Sequence, residues 1–143
     1  MFLGEFDRSL DPKGRVVLPA EHRDELGEVG FITKALDPCL AIFKPDEFKE
    51  VMAKMEEYAR QSPGHRRYAT QFSSGAHRIV PDKQGRFAIP LKLRTHAGLV
   101  DDVKVVGGNA RIEIWDMARW HETHPDEDEG FDPSDRSLAA LGI

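Results

Sequence analysis

Two short apolar triplets, Val16-Val17-Leu18 and Phe87-Ala88-Ile89, are each opened by Asp-x-x-Gly-Arg and closed by proline. The stretches ahead of them, GEFDRSL and GAHRIV, read as strands leading into a turn. In that turn Asp can accept backbone N–H bonds and Gly can take a positive φ. Pro12 suits a central position of a type I turn with Gly14 after it, so Arg15 opens the returning strand of a hairpin, and Arg86 holds the equivalent place. Pro19 and Pro90 end their strands and fit the first position of a short helix, which Gly27 and Gly98 can close. FITK and LAIF then follow as strands in the first half, VKVV and IEIW in the second, joined by the turn-rich LDPC and GGNA. Between the halves, PDEFKEVMAKMEEYAR sets Phe48, Val51, Met52, Met55 and Tyr58 on one stripe at helical spacing. Ser62-Pro63-Gly64 breaks that helix, and HRRYATQFSS predicts a second one.

Sliding the chain over itself aligns residues 11–23 with 82–94 without a gap, at an offset of 71. Asp, Gly, Arg, Pro and the final Arg coincide, as do Gly4 with Gly75 and Gly27 with Gly98. The predicted organisation is a first repeat over 4–47, linking helices over 48–74, a second repeat over 75–120 and an acidic tail over 121–143. A repeat of about 45 residues is too small to offset its chain entropy alone, so the two must share one core. The fold class that follows is α+β, mainly β: a pseudo-twofold, barrel-like core with peripheral helices.

Charge changes the picture through its location. The 143 residues carry a net −5, which taken whole argues against a polyanionic partner. Residues 121–143 account for −6 of it, leaving the rest at +1. Residues 60–94 hold eight Lys and Arg against the single acid Asp82. A solvated face and a phosphate-facing one explain such a run equally well. No apolar run approaches a membrane span and the start lacks the layout of a signal peptide, so the expectation is a cytoplasmic protein. Cys39 is the one cysteine, which excludes an internal disulfide and multi-thiolate zinc sites.

Enzyme signatures are thin. Phosphate-binding glycine loops and the G-x-S-x-G elbow are missing, so no catalytic residue is assigned. His121 and His124 in HETH could share a helix face, but two histidines do not complete a zinc site, and surface histidines are the preferred reading; no metal or cofactor is expected. The Met and aromatic stripe, with Trp115 and Trp120, reads as packing or subunit interface. The paired turns have a more definite use: Asp11 and Asp82 can organise the turn and pin the guanidinium of Arg15 and Arg86. The planar fork can then meet a phosphate or the O6/N7 edge of guanine. The competing explanation is a turn-holding ion pair and nothing more.

Asp-x-x-x-Arg written twice, inside LDPKGRVVLPAEHR and PDKQGRFAIPLKLR and after the start MFLGEF, resembles the MraZ family of bacterial transcriptional regulators. The resemblance covers roughly residues 1–124. It implies tandem SpoVT-AbrB-type swapped-hairpin repeats, a nucleoid-associated protein and a ring-like homo-oligomer. It also implies a double-stranded DNA partner, the promoter upstream of the protein's own gene in a cell-division and cell-wall cluster. Carried onto this chain, it makes Arg15 and Arg86 the DNA contacts, supported by Asp11, Asp82, Gly14 and Gly85. Lys13 and Lys83 on the same tips, with Arg23 and Arg94 after the prolines, are added as DNA-contact candidates; for the last two the competing explanation is pairing on the helix surface. A protein-binding scaffold without DNA binding is the alternative.

Overall fold

The computed structural model describes residues 1–125, 134 and 136–142. Of the expected acidic tail over 121–143, residues 126–133, 135 and 143 lie outside the described residues. The first repeat contributes β1 (Glu5–Ser9), β2 (Arg15–Val17), α1 (Ala20–Leu26), β3 (Gly30–Lys34) and β4 (Leu40–Phe43). Two helices follow, α2 (Pro45–Ala59) and α3 (Pro63–Gly75). The second repeat gives β5 (His77–Ile79), β6 (Arg86–Ala88), α4 (Leu91–Ala97), β7 (Asp102–Gly107) and β8 (Ile112–Asp116), then α5 (Met117–Thr123) and a last turn of helix, α6 (Arg136–Ala139).

Among the described residues eight strands make two layers. A six-stranded antiparallel sheet runs β1-β7-β8-β4-β3-β5, and a two-stranded ribbon pairs β2 with β6. The repeats exchange strands: β1 of the first pairs with β7 of the second and β5 of the second with β3 of the first, while β3–β4 and β7–β8 pair within their own repeats. The strands on either side of each Asp-x-x-Gly-Arg turn therefore do not ladder with each other as a simple hairpin would: one enters the sheet and the other the ribbon. The physical reason is burial. A two-stranded hairpin is marginal by itself, whereas exchange covers strands of both repeats with partners and gives them one core.

The register locates the pseudo-twofold. In the ribbon Val16 faces Phe87, its own equivalent at the offset of 71. In the sheet Ala41 faces Glu113, its equivalent one inserted residue later. Both layers thus turn about one axis. Along it the inner face of the ribbon, Val16 and Phe87 with Leu18 and Ile89 beyond, meets Ile32, Ile42, Val103, Ile112 and Ile114 in a single buried cluster. Neither repeat has a core of its own.

The helices finish the packing. Pro19 and Pro90 cap α1 and α4 with the same backbone angles, φ −54° and ψ 144°, and Leu26 and Leu93 point inward. His22 on α1 is also buried; its Nε2–H donates to the Leu3 carbonyl at 2.7 Å and its ring meets Phe2 and Phe6 edge-on. Phe48 of α2 stacks on Phe31 with ring centroids 4.7 Å apart, so the predicted stripe does face the sheet. Val51, Met55 and Tyr58 further along it line an open groove of about 640 Å³ with Phe43, Tyr68 and Phe72. Trp115 is buried against Trp120, on which His124 stacks at 3.8 Å between ring centroids, giving that histidine a packing role.

Candidate nucleic-acid interface

Each residue of the repeated motif has an identifiable task in the turn. Asp11 Oδ1 accepts the backbone N–H of Lys13 and of Arg15, both at 2.9 Å, and Oδ2 accepts Arg15 Nε at 2.6 Å. Gly14 N–H donates to the Asp11 carbonyl and Asp11 N–H to the Arg15 carbonyl, closing the turn at 2.9 Å each. The second turn repeats this bond for bond. Asp82 Oδ1 takes Gln84 and Arg86 N–H at 2.9 Å, Oδ2 takes Arg86 Nε at 3.1 Å, and the two backbone bonds recur at 2.9 Å. Gly14 at φ +73° and Gly85 at φ +83° occupy the left-handed region that favours glycine.

These bonds shift the acids. Asp11 titrates below its ordinary 3.8, chiefly because the Arg15 backbone N–H favours the carboxylate, with the guanidinium adding to it. The Arg86 backbone N–H does the same for Asp82. The turn is thus organised around a charged acid, and the guanidinium is held by one edge.

Arg15 lies opposite Ala88 in the ribbon and Arg86 opposite Val17. Since side chains alternate across a strand, Arg15, Val17, Arg86 and Ala88 share the face turned away from the core, while Val16 and Phe87 fill the other. The two arginines are diagonal neighbours, a geometry in which the backbones stand roughly 7–8 Å apart. Their side chains are 35 % and 38 % exposed, and the ion pair to the acid engages Nε in both. Among the described residues neither arginine's Nη1 or Nη2 makes a hydrogen bond within the chain. Each therefore presents the paired edge that suits bidentate recognition.

Lys13 and Lys83 are exposed on the two turns, which stand at opposite ends of the ribbon. Arg23 and Arg94 lie elsewhere than on this outer face. Arg94 covers Gly14 and its Nε donates to the Ile89 carbonyl at 2.9 Å; Arg23 lies by Gly85, with Nη1 donating to the Lys83 carbonyl at 3.2 Å. Both have partners inside the protein, and these lie across the repeat boundary rather than on the helix surface where pairing was the competing expectation. The basic run at 60–94 is also parted by the fold. Arg60 pairs with Glu56 and Glu57, Arg66 and Arg67 are exposed on α3, Arg78 on β5 is paired across the sheet with Phe31, and only the later members reach the ribbon and α4.

Fold and site together define a class: a strand-exchanged double repeat with twin arginine-bearing turns on a two-stranded ribbon. The family model described as "MraZ protein, putative antitoxin-like" matches residues 1–69 and again 72–139. Curated relatives from Acetivibrio thermocellus, Alkaliphilus oremlandii and Pediococcus pentosaceus are each 38 % identical over 143 residues, covering all of both chains. All three carry the name Transcriptional regulator MraZ, which is not the name of an enzyme. The chain belongs to the MraZ family.

Proposed function

We propose that this protein is a DNA-binding transcriptional regulator whose ribbon enters the major groove of duplex DNA, with Arg15 and Arg86 as base or phosphate contacts and Lys13 and Lys83 as phosphate contacts. One observation carries the reading: two guanidinium groups on the open face of one ribbon, each pinned through Nε with its outer edge unused. The major groove, about 12 Å wide, admits a two-stranded β-ribbon. Pinning lowers the entropy of ordering a long side chain on binding. The names of the relatives support a role in transcription.

The finer reading is that the protein acts on the promoter upstream of its own gene, in a cell-division and cell-wall cluster, as a ring-like homo-oligomer at the nucleoid of the cytoplasm. In such a ring many ribbons would engage short repeated sites together, so modest contacts would add through effective concentration. The exposed Leu36 beside the apolar groove of α2 and α3 supports self-association, and the same groove is what favours the scaffold alternative. Among the described residues no helix is long and apolar enough to cross a membrane.

A mobility-shift titration with the upstream DNA at two salt concentrations tests this. The parent should bind with a steep salt dependence, and Arg15→Ala or Arg86→Ala should fold normally and bind more weakly. Binding by both variants equal to the parent at physiological salt would remove the ribbon from the interface. A size measurement by light scattering tests the ring.

A further inference from the structure

Resting on the ribbon as the DNA-contacting element, we propose that Arg94 and Arg23 are positioning residues that brace the two turns reciprocally, each arginine holding the turn of the other repeat. The crossing follows from the ribbon. Because β2 and β6 run antiparallel, the first turn ends up beside Pro90 and the start of α4, and the second beside Pro19 and the start of α1. Backbone bonds stitch these neighbours together: Ile89 N–H donates to the Gly14 carbonyl at 3.0 Å and Leu18 N–H to the Gly85 carbonyl at 2.9 Å.

The arginines lie over those stitches. A Cβ built on Gly14 would stand 2.7 Å from Arg94 Cζ and 2.9 Å from its Nε, so the guanidinium rests directly on the glycine's bare backbone. The same group donates through Nε to the Ile89 carbonyl at 2.9 Å, gripping the strand that the turn is stitched to. At the other end a Cβ on Gly85 would stand 3.1 Å from Arg23 Nη1, which donates to the Lys83 carbonyl at 3.2 Å. Gly14 and Gly85 are buried although they belong to surface turns. This cover gives the motif's glycine a second function besides its positive φ: it leaves room for the opposite repeat's guanidinium. A planar guanidinium suits this place, because it lies flat on the peptide while one of its donors reaches a carbonyl in the same plane, which an ammonium cannot do.

The consequence for recognition is mechanical. Neither turn tip is set by its own repeat alone, so Lys13 and Arg15 depend on Arg94, and Lys83 and Arg86 depend on Arg23. Ordering of the tips before DNA arrives removes part of the cost of binding.

Hydrogen-exchange mass spectrometry on the full chain, with DNA titrations on the same variants, separates bracing from contact. Arg94→Ala should speed exchange in peptides covering 11–15 and Ile89 and leave 82–86 at the parent rate, and Arg23→Ala should do the reverse. Arg94→Lys should show the same local loosening as Arg94→Ala. For DNA, both alanine variants should bind several-fold more weakly with the parent's salt slope, whereas a lost phosphate contact lowers the slope by about 0.9 per site. Parent-like exchange in both turns, equal loosening of both turns, or a salt slope reduced as a lost contact would reduce it, each overturns the proposal. Should Arg15→Ala and Arg86→Ala bind as the parent does, the DNA reading fails by itself, and the crossed exchange pattern still decides the brace.

Discussion

The two repeats use the same bonds in their turns and different charges around them. Every backbone and carboxylate hydrogen bond of the first turn has its counterpart in the second, and the proline caps of α1 and α4 agree to the degree. The surroundings diverge. In the first repeat α1 carries Glu21, Asp24 and Glu25 against Arg23; in the second α4 carries Lys92 and Arg94 and no acid. The first turn has Pro12 and a tight Arg15–Asp11 contact of 2.6 Å; the second has Lys83 and a looser Arg86–Asp82 contact of 3.1 Å. What must be kept for the tip to exist is thus a backbone arrangement with one Asp, one Gly and one Arg. Charge and stiffness around it are free to vary: the stiffer Pro12 turn lies beside the basic α4, and the Lys83 turn beside the acidic α1.

The likeness is tested first by a pair of core substitutions. Leu18 and Ile89 are equivalent positions, 1 % and 2 % exposed, and belong to one buried cluster. Leu18→Ala and Ile89→Ala should each destabilise the protein by about 2–5 kcal/mol, in a single denaturant transition that reports both repeats at once. The measurement is equilibrium unfolding at one fixed protomer concentration, because self-association would otherwise enter the midpoint. Two separate transitions, with one repeat surviving the other, would break the idea of a shared core.

The repeat, the turn and the short helices were legible because each rests on local chemistry. Asp and Gly at fixed spacing specify the turn; proline at the helix start, which the structure places at the N-cap just before the first helical residue, and glycine past the end specify α1 and α4. The exchange of strands was not legible at the level of pairing. The offset that aligns Val16 with Phe87 says they are equivalent, but only the register says they are partners. Residue type grouped Arg23 and Arg94 with Arg15 and Arg86. What separates them is a contact between repeats, Arg94 on Gly14 and Arg23 on Gly85, which no single-repeat pattern encodes. A turn glycine needs a positive φ but has no local reason to be buried, so the cover on Gly14 and Gly85 is seen in the fold and not in the sequence.

A smaller effect sharpens the difference in stiffness. Lys83 stands where the first turn has Pro12, and among the described residues its backbone N–H has no hydrogen bond, just as a proline would have none. Lys83→Pro should therefore remove freedom from the unfolded chain without removing a native bond, and stabilise the protein by about 0.4–1 kcal/mol. Thermal unfolding of this variant beside Pro12→Ala, which should move the other way, checks it. A loss of stability on Lys83→Pro would mean that the second turn holds a backbone angle proline cannot adopt, and that the two turns differ more than their hydrogen bonds show.

The smallest expected effect is the acid response, and its sign is fixed by the turn geometry. Asp11 and Asp82 titrate below the ordinary 3.8 in the folded protein, first because of the Arg15 and Arg86 backbone N–H groups. A depressed folded pKa contributes stability that is fully present above the unfolded value and is lost as pH falls through the folded one. Both turns should hold their order down to about that unfolded value and loosen below it. Global stability is a poor readout for this, because Glu25, drawn down to about 2 by Lys44 and the amino terminus, loses its own contribution between 4.5 and there. Local exchange rates in the turns, followed on acidification, isolate the response. Asp11→Asn keeps an oxygen for the two backbone N–H groups but gives up the charge on which the shift depends. It should flatten the acid response of residues 11–15 and leave that of residues 82–86 intact, while Asp82→Asn should do the opposite. An acid response that survived in the substituted turn would trace the loosening to some other carboxylate, and the two turns would no longer be alike in what holds them.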